Sequence, residues 1–278
     1  HRNRGPFPGR QTTRLHRLSG RVSVPSTQHA AAVNRLLEAL PENDLRRMLT
    51  GCEKVELAFA DLLCAPMERL GHVYFPTAGF IALIMPIDGA AALEVGLIGN
   101  EGMLGIPLAL GVDVSPVRAV VLGAGSALRM DAALFCRELE SSQALRRDID
   151  RYVFVHLSQL AQAAACTRFH VVEARLARWL LMTQDRAHAN TFHFTQELLA
   201  SMLGVRRVAV TKAEGSLQRR GLIHYNRGNV TVLDRRGLEA ASCGCYKADR
   251  ESYDRMLGTS FHGWWHPRPV SPSRTVVI

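Results

Sequence analysis

Apolar and polar positions along the chain fall into three regimes. Over residues 30–49 apolar side chains recur at helical spacing, which predicts a helix ending near Leu40, a turn at Pro41 and a second short helix from Asn43. Over 55–130 the pattern becomes strand-like. Short runs at 55–59, 72–75, 80–87, 91–98, 118–122 and 126–130 are separated by glycines, the spacing of an antiparallel roll or jelly roll. Helical period then returns. Asp131 is placed to cap a helix over 132–139, and a longer helix spans 143–169. The longer one carries two apolar stripes, Ile149/Val153/His156/Leu160 and Phe154/Leu157/Ala161/Ala165. Two stripes imply two surfaces to cover, one in the same domain and one on a partner. An amphipathic helix over 171–183, a loop over 184–191 and a short strand containing Phe192 and Phe194 follow.

The stretch 195–217, TQELLASMLGVRRVAVTKAEGSL, reads as two helices joined at Gly204. Thr195 caps the first, Glu197 sits in its first turn, and Leu198, Leu199, Met202 and Leu203 form its apolar face. Gly204 suits the left-handed turn between crossing helices. The second helix is expected over 206–219. Val210, Ala213 and Leu217 face inward, while Arg206, Arg207, Val208, Thr211 and Lys212 lie on the opposite face. Side chains of these types at the start of a second helix match base-edge and phosphate contacts: arginine to guanine, valine to a thymine methyl, threonine and lysine to either. The competing reading is a helical hairpin with a solvated cationic face. Two short strands, 222–225 and 230–233, then flank an Asn-Arg-Gly-Asn turn holding Arg227, which reads as a wing. Residues 195–236 contain eight Lys/Arg and three Asp/Glu, a local excess suited to phosphate.

Helix, turn, helix and hairpin in this order resemble the winged-helix domain of the Crp/Fnr family of bacterial transcription regulators, and the glycine-punctuated strands, with 74–79 as a strand and its glycine turn, resemble that family's β-roll. The resemblance covers about residues 34–246. It implies an α+β chain with an N-terminal antiparallel, jelly-roll-like β-roll effector domain (30–140), a long dimerisation helix (141–169) and a C-terminal winged helix-turn-helix domain (170–246). It implies a homodimer on palindromic double-stranded DNA, with RNA polymerase as a further partner. Arg207 would be the recognition-helix arginine and Lys212 a second basic contact. Val208 stands where many members carry glutamate, so a different base pattern should be read. Thr195 and Arg227 complete the expected DNA-binding set.

The effector pocket departs from the family. Members that bind cyclic nucleotides hold ribose with a Gly-Glu pair and phosphate with Arg followed by Ser or Thr. Here Glu101 precedes Gly102, and Arg118 is followed directly by Ala119. A cyclic nucleotide is therefore not expected, and no cofactor is assigned. Glu101 and Arg118 remain candidates for another polar or anionic ligand, with a buried ion pair as the competing reading.

Composition bounds the rest. The chain has 278 residues, 47% of them hydrophobic, and a formal charge of +9. Seven arginines and no acid occur in residues 1–37, so 1–29 read as a disordered basic arm without the apolar core of a secretory signal. No apolar run is long enough for a transmembrane span, and a cytoplasmic location is expected. Proline-rich residues after 258 read as a tail, within a C-terminal segment taken as 247–278. Cys243, Cys245, His262 and His266 have metal-ligand side chains at unusual spacing, making a weak zinc set, while Cys52, Cys64, Cys136 and Cys166 read as core thiols. No catalytic motif occurs, so an enzyme is not expected. The alternatives are a sensing or protein-interaction module that has lost DNA binding, and a metal-bound regulator or enzyme using the C-terminal Cys/His set.

Overall fold

A computed structural model describes residues 34–87 and 92–257. Two short helices, α1 (Arg35–Glu38) and α2 (Glu42–Thr50), lead into strands β1 (Glu53–Leu57), β2 (Leu62–Cys64), β3 (His72–Pro86) and β4 (Ala92–Ile98). A one-turn helix α3 (Ile106–Ala109) precedes strand β5 (Arg118–Asp131). Helices α4 (Ala132–Ser141), α5 (Gln143–Phe169) and α6 (Val172–Ala187) lead to β6 (Thr191–His193), α7 (Gln196–Leu203), α8 (Arg207–Arg219), the hairpin β7 (Ile223–Asn226) and β8 (Asn229–Val232), then α9 (Arg235–Ala241) and α10 (Cys245–Leu257). The arm, the tail after 257, His262 and His266 lie outside the described residues.

The first sheet is wholly antiparallel, in the order β1-β5-β3-β4 with β2 also on β5. Its strands are longer than the sequence pattern predicts. The runs at 72–75 and 80–87 belong to one strand, β3, and those at 118–122 and 126–130 to one strand, β5. Gly79 does not end a strand: it lies at φ +74° within a series of register shifts between Pro76 and Ile81. A Cβ there would lie 2.2 Å from the Gly123 carbonyl oxygen, and one on Gly125 would lie 2.2 Å from that of Ala78. These glycines let two backbones cross closely while the ribbon bends, as at a bulge. The bend covers both faces of β3, so Phe80, Ile81, Ala82, Leu83 and Ile84 are all buried. A continuous apolar run replaces the alternation of a one-sided strand.

The helices start where side-chain caps allow. Asp131 Oδ1 accepts from the N–H groups of Ala133 and Leu134, and Ser142 Oγ accepts from Leu145. Along α5, Leu145, Ile149, Tyr152, Val153 and Val155 are buried, whereas Phe154 and Leu157 are 52% and 59% exposed, with Ala161 and Ala165 also exposed. One of the two stripes therefore packs inward and the other faces out. Helix α6 continues four residues past the predicted end at 183. Gln184, Asp185 and Arg186 look like loop residues in the sequence yet are buried, because Asn190, Arg235 and Glu101 supply their partners. Residues 247–257, expected as tail, lie in α10, which is joined to α6 by the Arg178–Asp249 ion pair at 2.6 Å. Among the described residues no helix is long and apolar enough to cross a membrane.

Candidate nucleic-acid interface and its anchor on the sheet

The C-terminal helix-turn-helix module is built on an aromatic core. Trp179 of α6 meets Phe194 edge to face at 4.7 Å between ring centroids, and Phe192 stacks on Phe194. Leu199, Met202 and Leu203 of α7 and Val210, Ala213 and Leu217 of α8 close over this core. Thr195 Oγ1 caps α7 by accepting from Leu198 at 3.1 Å, and Gly204 ends it at φ +62°. Arg206, expected as the first residue of the second helix, instead occupies the N-cap position of α8, which begins one residue later at Arg207.

Arg206, Arg207, Val208, Thr211 and Lys212 are all exposed, with Val208 65% exposed. An unpaired valine at that exposure is what an apolar base contact requires. Gln196, not singled out by the sequence, organises this face. Its Oε1 accepts from Arg207 Nε (3.3 Å) and Thr211 Oγ1 (3.0 Å), and its Nε2 donates to buried Glu214 (2.7 Å). Arg207 also pairs with Glu197 at 2.8 Å. That pair is exposed and weak, so it restrains the guanidinium without committing it. Burial pushes the Glu214 carboxyl pKa up, against the hydrogen bond from Gln196.

The wing is a two-residue hairpin. Arg227 and Gly228 both lie at positive φ, +48° and +86°, the geometry of a type I′ turn. Arg227 stands exposed at its tip, and β6 adds the third strand in the order β6-β8-β7.

The module is anchored to the first sheet at two points. Trp179 Nε1 donates to Glu94 of β4, and Arg186 Nε donates to Glu101 at 2.8 Å, with Arg186 and Glu101 essentially inaccessible to water. Burial works against the charge on Arg186, but the fields of Glu101, Tyr253 and Asp185 outweigh it and its pKa is raised. Glu101 is thus committed to Arg186, while Arg118 lies exposed at the start of β5. The structure does not bring this candidate effector pair together; the ion pair named as the competing reading forms with a residue the sequence did not suggest. Glu94 is partly buried, and desolvation lifts its carboxyl pKa to about 7 against the Trp179 hydrogen bond and the charges of Arg178 and Arg186. His156 is shifted the other way, to about 4, by burial.

The cysteines also differ from expectation. Cys166 is not an isolated core thiol: its sulfur, those of Cys243 and Cys245, and a ring nitrogen of His170 lie within 4.8 Å of one another. Helix α5 and the α9–α10 junction, 77 residues apart, meet there.

The architecture is a bent antiparallel roll joined by one long helix to a winged helix-turn-helix. Residues 174–241 match the family model of the Crp-like helix-turn-helix domain. The fold is similar to that of solved Crp/Fnr regulators. A Crp/Fnr family regulator from Eubacterium rectale superposes with a TM-score of 0.60 at 15% identity, covering 74% of this chain and 96% of that one. FixK2 from Bradyrhizobium japonicum gives 0.60 at 12%, covering 69% and 98%. The c-di-GMP-responsive regulator CLP of Xanthomonas campestris gives 0.58 at 17%, covering 70% and 100%. No curated protein sequence matches significantly. Residues 174–241 thus form a Crp-like helix-turn-helix domain, and the fold around it is similar to that of solved Crp/Fnr regulators.

Two outcomes follow from the anchor. Arg186→Met alone should destabilise the chain by about 3–5 kcal/mol in urea unfolding, because it strands a buried carboxylate, and adding Glu101→Met should recover most of that loss. For Glu94, the folded pKa near 7 exceeds the ordinary 4.5, so the folded chain holds a proton that the unfolded chain has released. The resulting stability is complete below pH 4.5 and fades as pH rises through about 7. Stability measured from pH about 6 to 8 should fall, and Glu94→Gln should flatten that slope.

Proposed function

We propose that the chain is a homodimeric, sequence-specific DNA-binding transcription regulator whose helix α8 reads the major groove. The observation that carries this reading is the composition of one exposed face: Arg206, Arg207, Val208, Thr211 and Lys212 stand clear of the core, restrained from behind by Gln196 and Glu197. Arg207 and Val208 supply base contacts, Lys212 and Thr211 base or phosphate contacts, and Thr195 and Arg227 grip the backbone on either side. The outward stripe of Phe154, Leu157, Ala161 and Ala165 covers its apolar surface against the same stripe of a second copy, a self-complementary contact of the kind a two-fold axis requires. Two recognition helices then meet half-sites about one helical turn apart.

A signal arriving in the β-roll reaches α8 through the two anchors. Glu94 and Glu101 belong to the sheet side, Trp179 and Arg186 to α6, which packs behind α8. A ligand that competes for either carboxylate, or strains the segment bearing Arg118, shifts the balance between anchored and released readers and with it operator affinity. RNA polymerase is the partner such a shift would serve.

Selection of bound duplexes from a random library by the full chain should enrich a palindrome. Arg207→Ala should then lose about 1–3 kcal/mol of discrimination at one position of each half-site; unchanged affinity and base preference would remove α8 as the reading element. In sedimentation, Phe154→Glu should raise the dimer dissociation constant at least about 30-fold, the equivalent of about 2 kcal/mol, and a native chain that sediments as a monomer would reject the interface.

A further inference from the structure

The sequence separates Cys166 and His170 from Cys243 and Cys245 by more than 70 residues, and the fold returns them to one point. Cys166 and His170 are one turn apart at the C-terminal end of α5, where His170 is the cap residue. Cys243 and Cys245 form a Cys-x-Cys pair across the α9–α10 junction, Cys245 being the first residue of α10. All three sulfurs are buried. Cys166 Sγ lies 3.5 Å from Cys243 Sγ, and Cys245 Sγ lies 3.5 Å from His170 Nδ1. In a tetrahedral zinc site with Zn–S about 2.3 Å and Zn–N about 2.0–2.1 Å, the corresponding edges are about 3.8 and 3.6 Å.

We propose that Cys166, His170, Cys243 and Cys245 form a Cys₃His site for one zinc ion. The donor set is of the closed, structural kind, with four protein ligands and no position left for substrate. The immediate surroundings suit it. Gln162 Nε2 donates to Cys245 Sγ at 2.9 Å, an orienting hydrogen bond of the sort that holds a thiolate ligand. Three thiolates, a neutral imidazole and Zn²⁺ sum to one negative charge. Arg178, paired with Asp249, and Arg175 lie within the electrostatic reach of Cys166 and offset it. The N-terminus of the 13-residue helix α10 adds a favourable dipole at Cys245. A simple cluster of core thiols would explain burial but not the convergence of an imidazole and a hydrogen-bond donor on the sulfurs. An iron–sulfur cluster requires ligands spread around several metal atoms, whereas these four donors converge on a single centre.

The ion does something the surrounding packing cannot. The chain passes from α5 to α6 at His170 and Val171, both in extended conformation, so the ligand His170 is itself part of the joint between the long helix and the reading module. Zinc therefore staples the end of α5 to the α9–α10 junction and fixes the angle at which α6 leaves. The consequence for DNA affinity rests on the function proposed above; the site itself does not.

The test is metal analysis of the full chain purified under reducing conditions without chelator. One equivalent of zinc per chain is expected, and Co²⁺ exchanged into the site should give the intense visible ligand-field bands of a tetrahedral thiolate complex. Cys243→Ser with Cys245→Ser should abolish both, whereas Cys136→Ser should leave both intact. Should the double variant fail to fold, Gln162→Leu keeps all four ligands and should weaken zinc binding about 10-fold or more in a chelator competition. Absence of zinc together with Co²⁺ binding no tighter in the native chain than in the double variant would overturn the proposal. So would a Cys166–Cys243 disulfide in the chain as isolated, or iron with acid-labile sulfide in place of zinc. None of these readouts involves DNA, so loss of operator binding with zinc retained counts against the regulator reading alone.

Discussion

A guanidinium and a carboxylate sealed from water set the constraint around which this chain is arranged. Arg186 and Glu101 come from segments 85 residues apart, one on α6 and one on the loop after β4. Removing both charges from water is expensive, and only close, well-directed pairing compensates. The pair therefore contributes less to total stability than to uniqueness of arrangement: a sheet and a reading module that slid by one residue would leave two bare charges inside. Met182, whose carbonyl accepts from Arg186, and the polar run Gln184–Asp185 with its partners Asn190, Arg235 and Tyr246 extend the same logic through α6.

That helix is consequently more than support for the helix-turn-helix. Its early turns carry Arg175, whose guanidinium caps the Leu203 carbonyl at the end of α7, and its middle carries Trp179, which reaches Glu94. Its last turn carries Arg186. A single rigid rod thus contacts both the turn that precedes α8 and the sheet, which in the regulator proposed above are the mount of the reading helix and the face on which a signal acts. Coupling between them needs no long chain of intermediates, only two positions of one helix, which is the physical form that a two-state element requires. The partly buried Glu94 gives the sheet side of that contact a proton-dependent strength near neutral pH.

How far the sequence revealed this depended on whether a feature was local. Caps at Asp131 and Thr195 and the glycine turn at 204 are set by neighbouring residues, and the helices they bound were legible. The exposed face of α8 was legible for the same reason, since helical period sorts Arg207, Val208 and Thr211 from Val210 and Leu217. Long-range features were hidden. Gly79 reads as a turn because its neighbour across the sheet, Gly123, is 44 positions away, and only together do they make a bend in continuous strands. Asp185 and Arg186 look like loop residues until Arg235 and Glu101 arrive from elsewhere. The Cys-x-Cys pair could be seen but not its partners, because Cys166 and His170 are the ordinary contents of a helix end until the fold brings α10 back across it. An i, i+4 Cys/His pair at the end of one helix was the available signal.

The central claim is that α8, held at its angle by these contacts, lies in the major groove. The most direct measurement places a short photoactivatable side chain at position 208, irradiates the full-length protein on its selected operator, and maps the crosslinks. The account predicts crosslinks to major-groove edges of bases in each half-site, lost when salt is raised enough to release the protein. Efficient operator binding with position 208 crosslinking to no base, while a probe on another surface does so, would contradict it.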